Sequence, residues 1–178
     1  MPRVVRDAKI ALIDFPLEIH GPETETRVSL SSPEQLRSFL DAEEKTLKNM
    51  TESIIESGAN VVFCQKGIDD VAQYYLAKAG IMAFRRVPKS DMEKLSKATS
   101  ARVISNINEL KTDQFGYAGT VEETKQGNET FSYVRGCREP KAVTIIIYGS
   151  TAHVVDEIER ALHDGIGVGS SAIKEGKL

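Results

Sequence analysis

The strongest constraint on this chain is one long helix whose apolar stripe is broken. Ser32 is a good N-cap, Pro33 suits the first helical position, and Gln35 occupies the capping-box position. Gly58 is a natural C′ glycine. The spacing predicts a helix between these signals, ~37 Å long at 1.5 Å per residue. Leu40, Leu47 and Ile54 repeat every seven positions, with Leu36, Phe39, Met50 and Ile55 beside them. Residues 41–46 interrupt the stripe. A helix packed along its whole length does not skip a turn. The C-terminal half is therefore expected to dock on a core and the N-terminal half to project from it.

At 178 residues the chain is long enough for one domain with an appendage, and for a core that needs no disulfide staples. No apolar run is long enough to span a bilayer, and the first residues have no apolar signal region. The net charge is −3, against the basic balance usual in nucleic-acid binders. Residues 23–56 hold eight acids and four bases, so this helical stretch carries the negative balance and is expected to be the most solvated part. Cys64 lies in the apolar run VVFCQ and reads as a buried thiol, far in sequence from Cys137. No disulfide is expected, and the cytoplasm is the expected location.

Around the long helix, strands are expected over 9–19, 60–65, 81–87 and 101–105, with helices over 68–79 and from a Ser90–Glu93 capping box to about 98. The first of these helices is expected to turn Ile68, Val71, Ala72, Tyr75, Leu76 and Ala79 toward the core. A hairpin is expected around Gly127-Asn128. Residues 143–148, VTIIIY, read as a fully buried strand, and 151–163 as a helix. Alternating strands and helices followed by a hairpin define an α/β domain with mixed pairing.

Chemistry is hard to find. His20, His153 and His163 lack ligand spacing and the cysteines form no CxxC pair, so no metal site is expected. Lys66-Gly67 leads into a helix N-terminus that could hold an anion, though a strand-to-helix turn explains the glycine equally well. Gly165, Gly167 and Gly169 follow a helix rather than a strand, the wrong context for a dinucleotide fingerprint.

Four segments, taken in order, resemble a known family. Residues 59–87 (ANVVFCQKGIDDVAQYYLAKAGIMAFRRV), 90–110, 140–164 and 10–19 look like the apical domain of group II chaperonins, the family of the archaeal thermosome. The resemblance covers nearly the whole chain. It implies a three-layer β/β/α sandwich over 1–164, with 165–178 as the start of an intermediate-domain segment or a tail. It also implies a lid protrusion at about 21–46, in which Arg27, Val28, Ser29 and Leu30 form a short strand that pairs around a closing ring.

By the same resemblance, client proteins bind between the long helix and the helix over 68–79. The implied contacts are Lys48, Thr51, Glu52, Ile55, Gln73, Tyr74 and Ala77, with Leu36, Phe39 and Leu40 on the protrusion. Asp164 matches the aspartate that helps activate the water attacking ATP. The sequence has no phosphate loop for ATP and Mg²⁺, which belong to the full-length parent, so no ATP turnover is expected of this chain. The implied parent is a cytoplasmic double ring of about three times this length that binds unfolded clients and neighbouring subunits. The isolated chain is expected to be monomeric. Two other readings stay open: a standalone α/β enzyme or phosphate-binding domain using Lys66-Gly67, and an assembly module whose protrusion makes only subunit contacts.

Overall fold

The structure is a computed structural model that describes residues 2–18 and 33–176, the side chains of 33–36 and 38–40 excepted. The expected lid strand, Arg27 to Leu30, lies outside the described residues, as do the side chains of Leu36, Phe39 and Leu40. The chain divides into two compact units, Met1–Val143 and Thr144–Leu178.

The first unit is built on a mixed sheet. β1 (Val4–Ile13) lies at its centre, parallel to β2 (Val61–Cys64), which is parallel to β3 (Met82–Phe84). On the other side of β1, β4 (Val103–Ile104) pairs parallel with Leu12 and Ile13, while β5 (Gly116–Gln126) pairs antiparallel with Val4 to Ile10. β6 (Glu129–Arg135) is antiparallel to β5 and forms the far edge. The two-residue turn between them begins at Gly127, whose φ of 63° needs no Cβ.

Alternation along the strands sorts the core into two halves. Ala11, Ile13, Val62, Cys64 and Ala83 face one side, and Ile10, Leu12, Val61, Phe63 and Met82 the other. On the first side lie Leu47 and Ile54 of α1 (Pro33–Glu56) and Ala72 and Leu76 of α2 (Asp70–Lys78). On the second lies Met92 of α3 (Lys89–Thr99). The α/β class is thus realised with helices on both faces of the sheet. Residues 41, 42 and 44–46 of α1 are exposed and Leu47 is buried, so the docked half begins where the stripe resumes.

β1 contains a left-handed residue that no periodicity announces. Asp7 takes φ 49°, a left-handed conformation uncommon for a non-glycine residue. Its surroundings hold it: the Asn60 amide donates to the Asp7 carbonyl at 3.2 Å and the Tyr117 hydroxyl donates to its carboxylate at 2.9 Å. Asn60 also accepts from the Lys9 N–H at 2.7 Å.

Three local expectations are corrected. α3 begins at Lys89 with Pro88 at the cap and no side-chain capping bond, so Ser90 sits inside the helix and the box does not form. Val71, expected on the core face of α2, is 39 % exposed. The helix starts later than expected, capped by the Asp69 carboxylate accepting the Val71 N–H, and Val71 falls on its first turn. Residues 143–148 form no strand: Val143 is 81 % and Tyr148 73 % exposed. Composition alone does not make a strand, and no described residue pairs with this stretch.

In the second unit α4 (Ala152–Glu175) is capped by Thr151, whose hydroxyl accepts the Val154 N–H, and ends at Gly176 with φ 63°. It runs through Gly165, Gly167 and Gly169 without a break, so residue 164 is mid-helix. Each of these glycines costs about 1 kcal/mol relative to alanine, which a 24-residue helix absorbs.

Candidate functional site

α1 packs beside α2 over one face of the sheet. Lys48 and Glu52 sit one turn apart on the solvent side of α1 and form an exposed pair at 3.9 Å. Such a pair contributes at most about 0.5 kcal/mol, so both groups remain available to other partners. Ile55 is half-buried and packs against the core at the border of this face. On α2, Gln73 and Ala77 are half-buried, while Tyr74 is 63 % exposed and meets the Tyr75 ring edge-on at 5.7 Å. Val71, one turn before Tyr74, extends the apolar surface and was missed because the sequence pattern assigned it to the core.

Thr51 is the exception among the expected contacts. It is 1 % exposed, and its hydroxyl donates back to the Leu47 carbonyl at 2.8 Å. That bond satisfies the polar group inside the core, so Thr51 supports the face from beneath and offers no contact surface. The signal was present: Thr51 lies four residues after Leu47 and three before Ile54, on the same buried stripe.

The N-terminus of α2 shows what became of the anion reading. Glu18 places its carboxylate in the space a side chain at Gly67 would fill, and Asp69 caps the first turn. The chain's own carboxylates occupy the region a phosphate would need. Asp164 lies on α4, where Arg160 reaches it at 3.5 Å and also pairs with Glu157 at 2.6 Å. A cleft of about 270 Å³ lies near α3, lined by Thr99, Ser100, Phe115, Tyr117, Arg138 and Glu139, and holds none of the expected contacts. Its guanidinium lies over the Tyr117 ring at 4.1 Å.

Among the described residues Cys64 is the one group with a large displacement of acidity. Burial holds its thiol near a pKa of about 11, and the S–H points to the Phe15 carbonyl at 3.5 Å. The folded pKa exceeds the unfolded one, ~8.5, so the native state holds the proton more tightly. The resulting stability is complete below pH ~8.5 and is lost as pH rises toward 11. Urea midpoints measured at pH 8 and pH 10.5 should fall more steeply for this chain than for Cys64→Ala. Native Cys64 should also resist iodoacetamide under conditions that alkylate the half-buried Cys137.

The molecule is therefore an α/β domain presenting a helix pair of mixed polar and apolar character, with no metal-type cluster of His, Cys, Asp or Glu among the described residues. Comparison with known proteins assigns it further. The model of the TCP-1/cpn60 chaperonin family matches residues 1–178, and the chain belongs to that family. It is 53 % identical over its whole length to a thermosome subunit of Methanopyrus kandleri and 55 % identical to one of Pyrococcus horikoshii. The match covers 33 % and 32 % of those proteins, so the chain spans about a third of the length of the curated relatives it matches. Among solved structures, the open-state monomer of a group II chaperonin from Methanococcoides burtonii matches with a TM-score of 0.75 and 43 % identity. That match covers 94 % of this chain and 36 % of that one. The resemblance read from the four sequence segments and the α/β fold class it implied both stand.

Among the described residues no helix is long and apolar enough to cross a membrane.

Proposed function

We propose that this chain is the client-binding and lid module of a group II chaperonin subunit, part of an ATP-dependent, cytoplasmic double ring. The observation that supports it is the exposed α1–α2 face in a domain of this family: Lys48, Glu52, Gln73, Tyr74 and Ala77, with Val71 and Ile55 at its borders. The face mixes apolar and polar groups, so it suits many non-native segments weakly rather than one tightly. Several copies around a ring would convert weak contacts into a firm hold through avidity. The protrusion at about 21–46, with Leu36, Phe39 and Leu40, is the lid of this reading, and Arg27 to Leu30 its pairing strand.

ATP and Mg²⁺ belong in this reading to the full-length parent. Asp164 is the residue carried toward that chemistry, but its described neighbours do not form a nucleotide site: it is bonded to Arg160 on an exposed helix, beside a glycine with open space around it. No step of hydrolysis is therefore assigned to this chain.

The isolated chain should slow the aggregation of a chemically denatured protein, measured by light scattering, at a several-fold molar excess that offsets the missing avidity. Deleting 21–46 should weaken that effect. Ring assembly of the parent with no suppression by this chain or by the parent would favour the assembly-module reading instead.

A further inference from the structure

The β5–β6 hairpin extends past the rest of the sheet, and residues 123–132 are exposed along it. Among the described residues β6 pairs only with β5, so its outer edge carries unpaired backbone groups. Natural edges of this kind are usually protected by a central lysine, a proline or a bulge. Here the stretch TFSYV, 130–134, carries no charge and no proline. Its side chains are nevertheless ordered on one face. The Phe131 and Tyr133 rings stack at 6.3 Å, Arg135 lies over Tyr133 at 4.5 Å and also reaches Glu122, and the Gln126 amide donates to the Tyr133 hydroxyl at 3.1 Å.

The order of residues along this edge is self-complementary. Laid antiparallel against a second copy with Ser132 on the two-fold axis, Glu129 stands opposite Arg135, Thr130 opposite Val134 and Phe131 opposite Tyr133. Directly opposed residues share a sheet face, so each end gains an opposite-charge pair and the middle gains aromatic pairs. The hydrogen bonding agrees with this register. In a two-residue hairpin the flanking pair, Gln126 and Glu129, exchanges both backbone bonds, so by alternation Thr130, Ser132 and Val134 point their N–H and C=O groups outward. Those are the residues the register sets against one another. Shifting it by one residue would place Glu129 opposite Val134 and leave Arg135 without a partner.

We propose that β6 is a homotypic docking edge, through which two copies of this chain join their sheets about a two-fold axis at Ser132. The interface is isologous, and charge complementarity within one strand selects a second copy as the occupant. It departs from the monomer expected from the sequence, and it is independent of the client-binding reading.

Sedimentation of the chain over a wide concentration range should show a reversible monomer–dimer equilibrium. Ser132→Pro removes an outward N–H and no bond to β5, so it should yield monomer at concentrations where the parent chain dimerises. Glu129→Arg, which sets like charges against Arg135 of the second copy, should weaken association several-fold, and serves if Ser132→Pro alters the circular dichroism. In a Cys137→Ser background, Ser132→Cys should form an intermolecular disulfide, while Thr130→Cys, which faces Val134 rather than itself, should not. A chain that sediments as monomer throughout overturns the proposal. So does a dimer that Glu129→Arg and Ser132→Pro leave unchanged.

Discussion

Replacing Ile54 with alanine should destabilise the domain by about 2–5 kcal/mol, lowering the urea midpoint with little change in slope. Ile54 is fully buried among Leu47, Ala72 and Leu76, where α1 and α2 meet the strand residues Ile13 and Val62. Truncation removes apolar contacts from both helices at once, and the surrounding strands are paired on both sides and cannot close over the void. Its neighbour separates stability from function. Ile55 is only partly buried at the edge of the same helix, so Ile55→Ala should cost about 1 kcal/mol or less of stability. Because it borders the exposed face, it should have the larger effect on client capture under conditions where both variants remain folded. Equal stability losses for the two variants would show that α1 is not anchored as described.

Gly116→Ala should lower stability by about 1–3 kcal/mol, although it adds a single methyl group. Gly116 lies in β5 opposite Ile10, and a Cβ there would sit 2.7 Å from Thr99 Cβ and 2.8 Å from Ala101 Cβ. Neither neighbour can retreat. Thr99 is buried and its hydroxyl is fixed on the Leu95 carbonyl at 2.8 Å, while Ala101 is 2 % exposed in the same core. The end of α3 must therefore move away from the sheet, which denaturant unfolding would register as a reduced midpoint. The glycine is required by close approach and not by its backbone angles, since its φ is negative or extended.

These two positions also mark how far the sequence could be read. Ile54 was legible because a seven-residue repeat with a skipped turn has one physical meaning: a helix docked over part of its length. The same pattern separated Leu47 from the exposed residues before it. Gly116 was not legible, because nothing near it in sequence announces the α3 residues that crowd it. The stretch 143–148 failed for a related reason. Its composition records a preference to be buried in a sheet, and a strand forms only where another strand supplies the ladder. Thr51 was placed on the contact face by the resemblance, although its spacing from Leu47 and Ile54 pointed inward. The left-handed Asp7 was beyond reach, since its support comes from Asn60 and Tyr117, 53 and 110 residues away.

For the candidate site, the residues themselves supplied the helices and their exposed faces, and the family resemblance supplied the proposed role. That division follows from the chemistry. A surface that holds non-native segments needs exposed mixed character rather than a triad or a ligand set, and mixed character is common on helices. The direct test is site-specific crosslinking to a non-native protein. A photoreactive phenylalanine analogue is placed at Tyr74 on the α1–α2 face, or at Lys94 on α3 over the other face of the sheet. Illumination with a denatured client should give several-fold more adduct from position 74 than from position 94. Equal yields, or more from position 94, would contradict the assignment of client binding to the α1–α2 face.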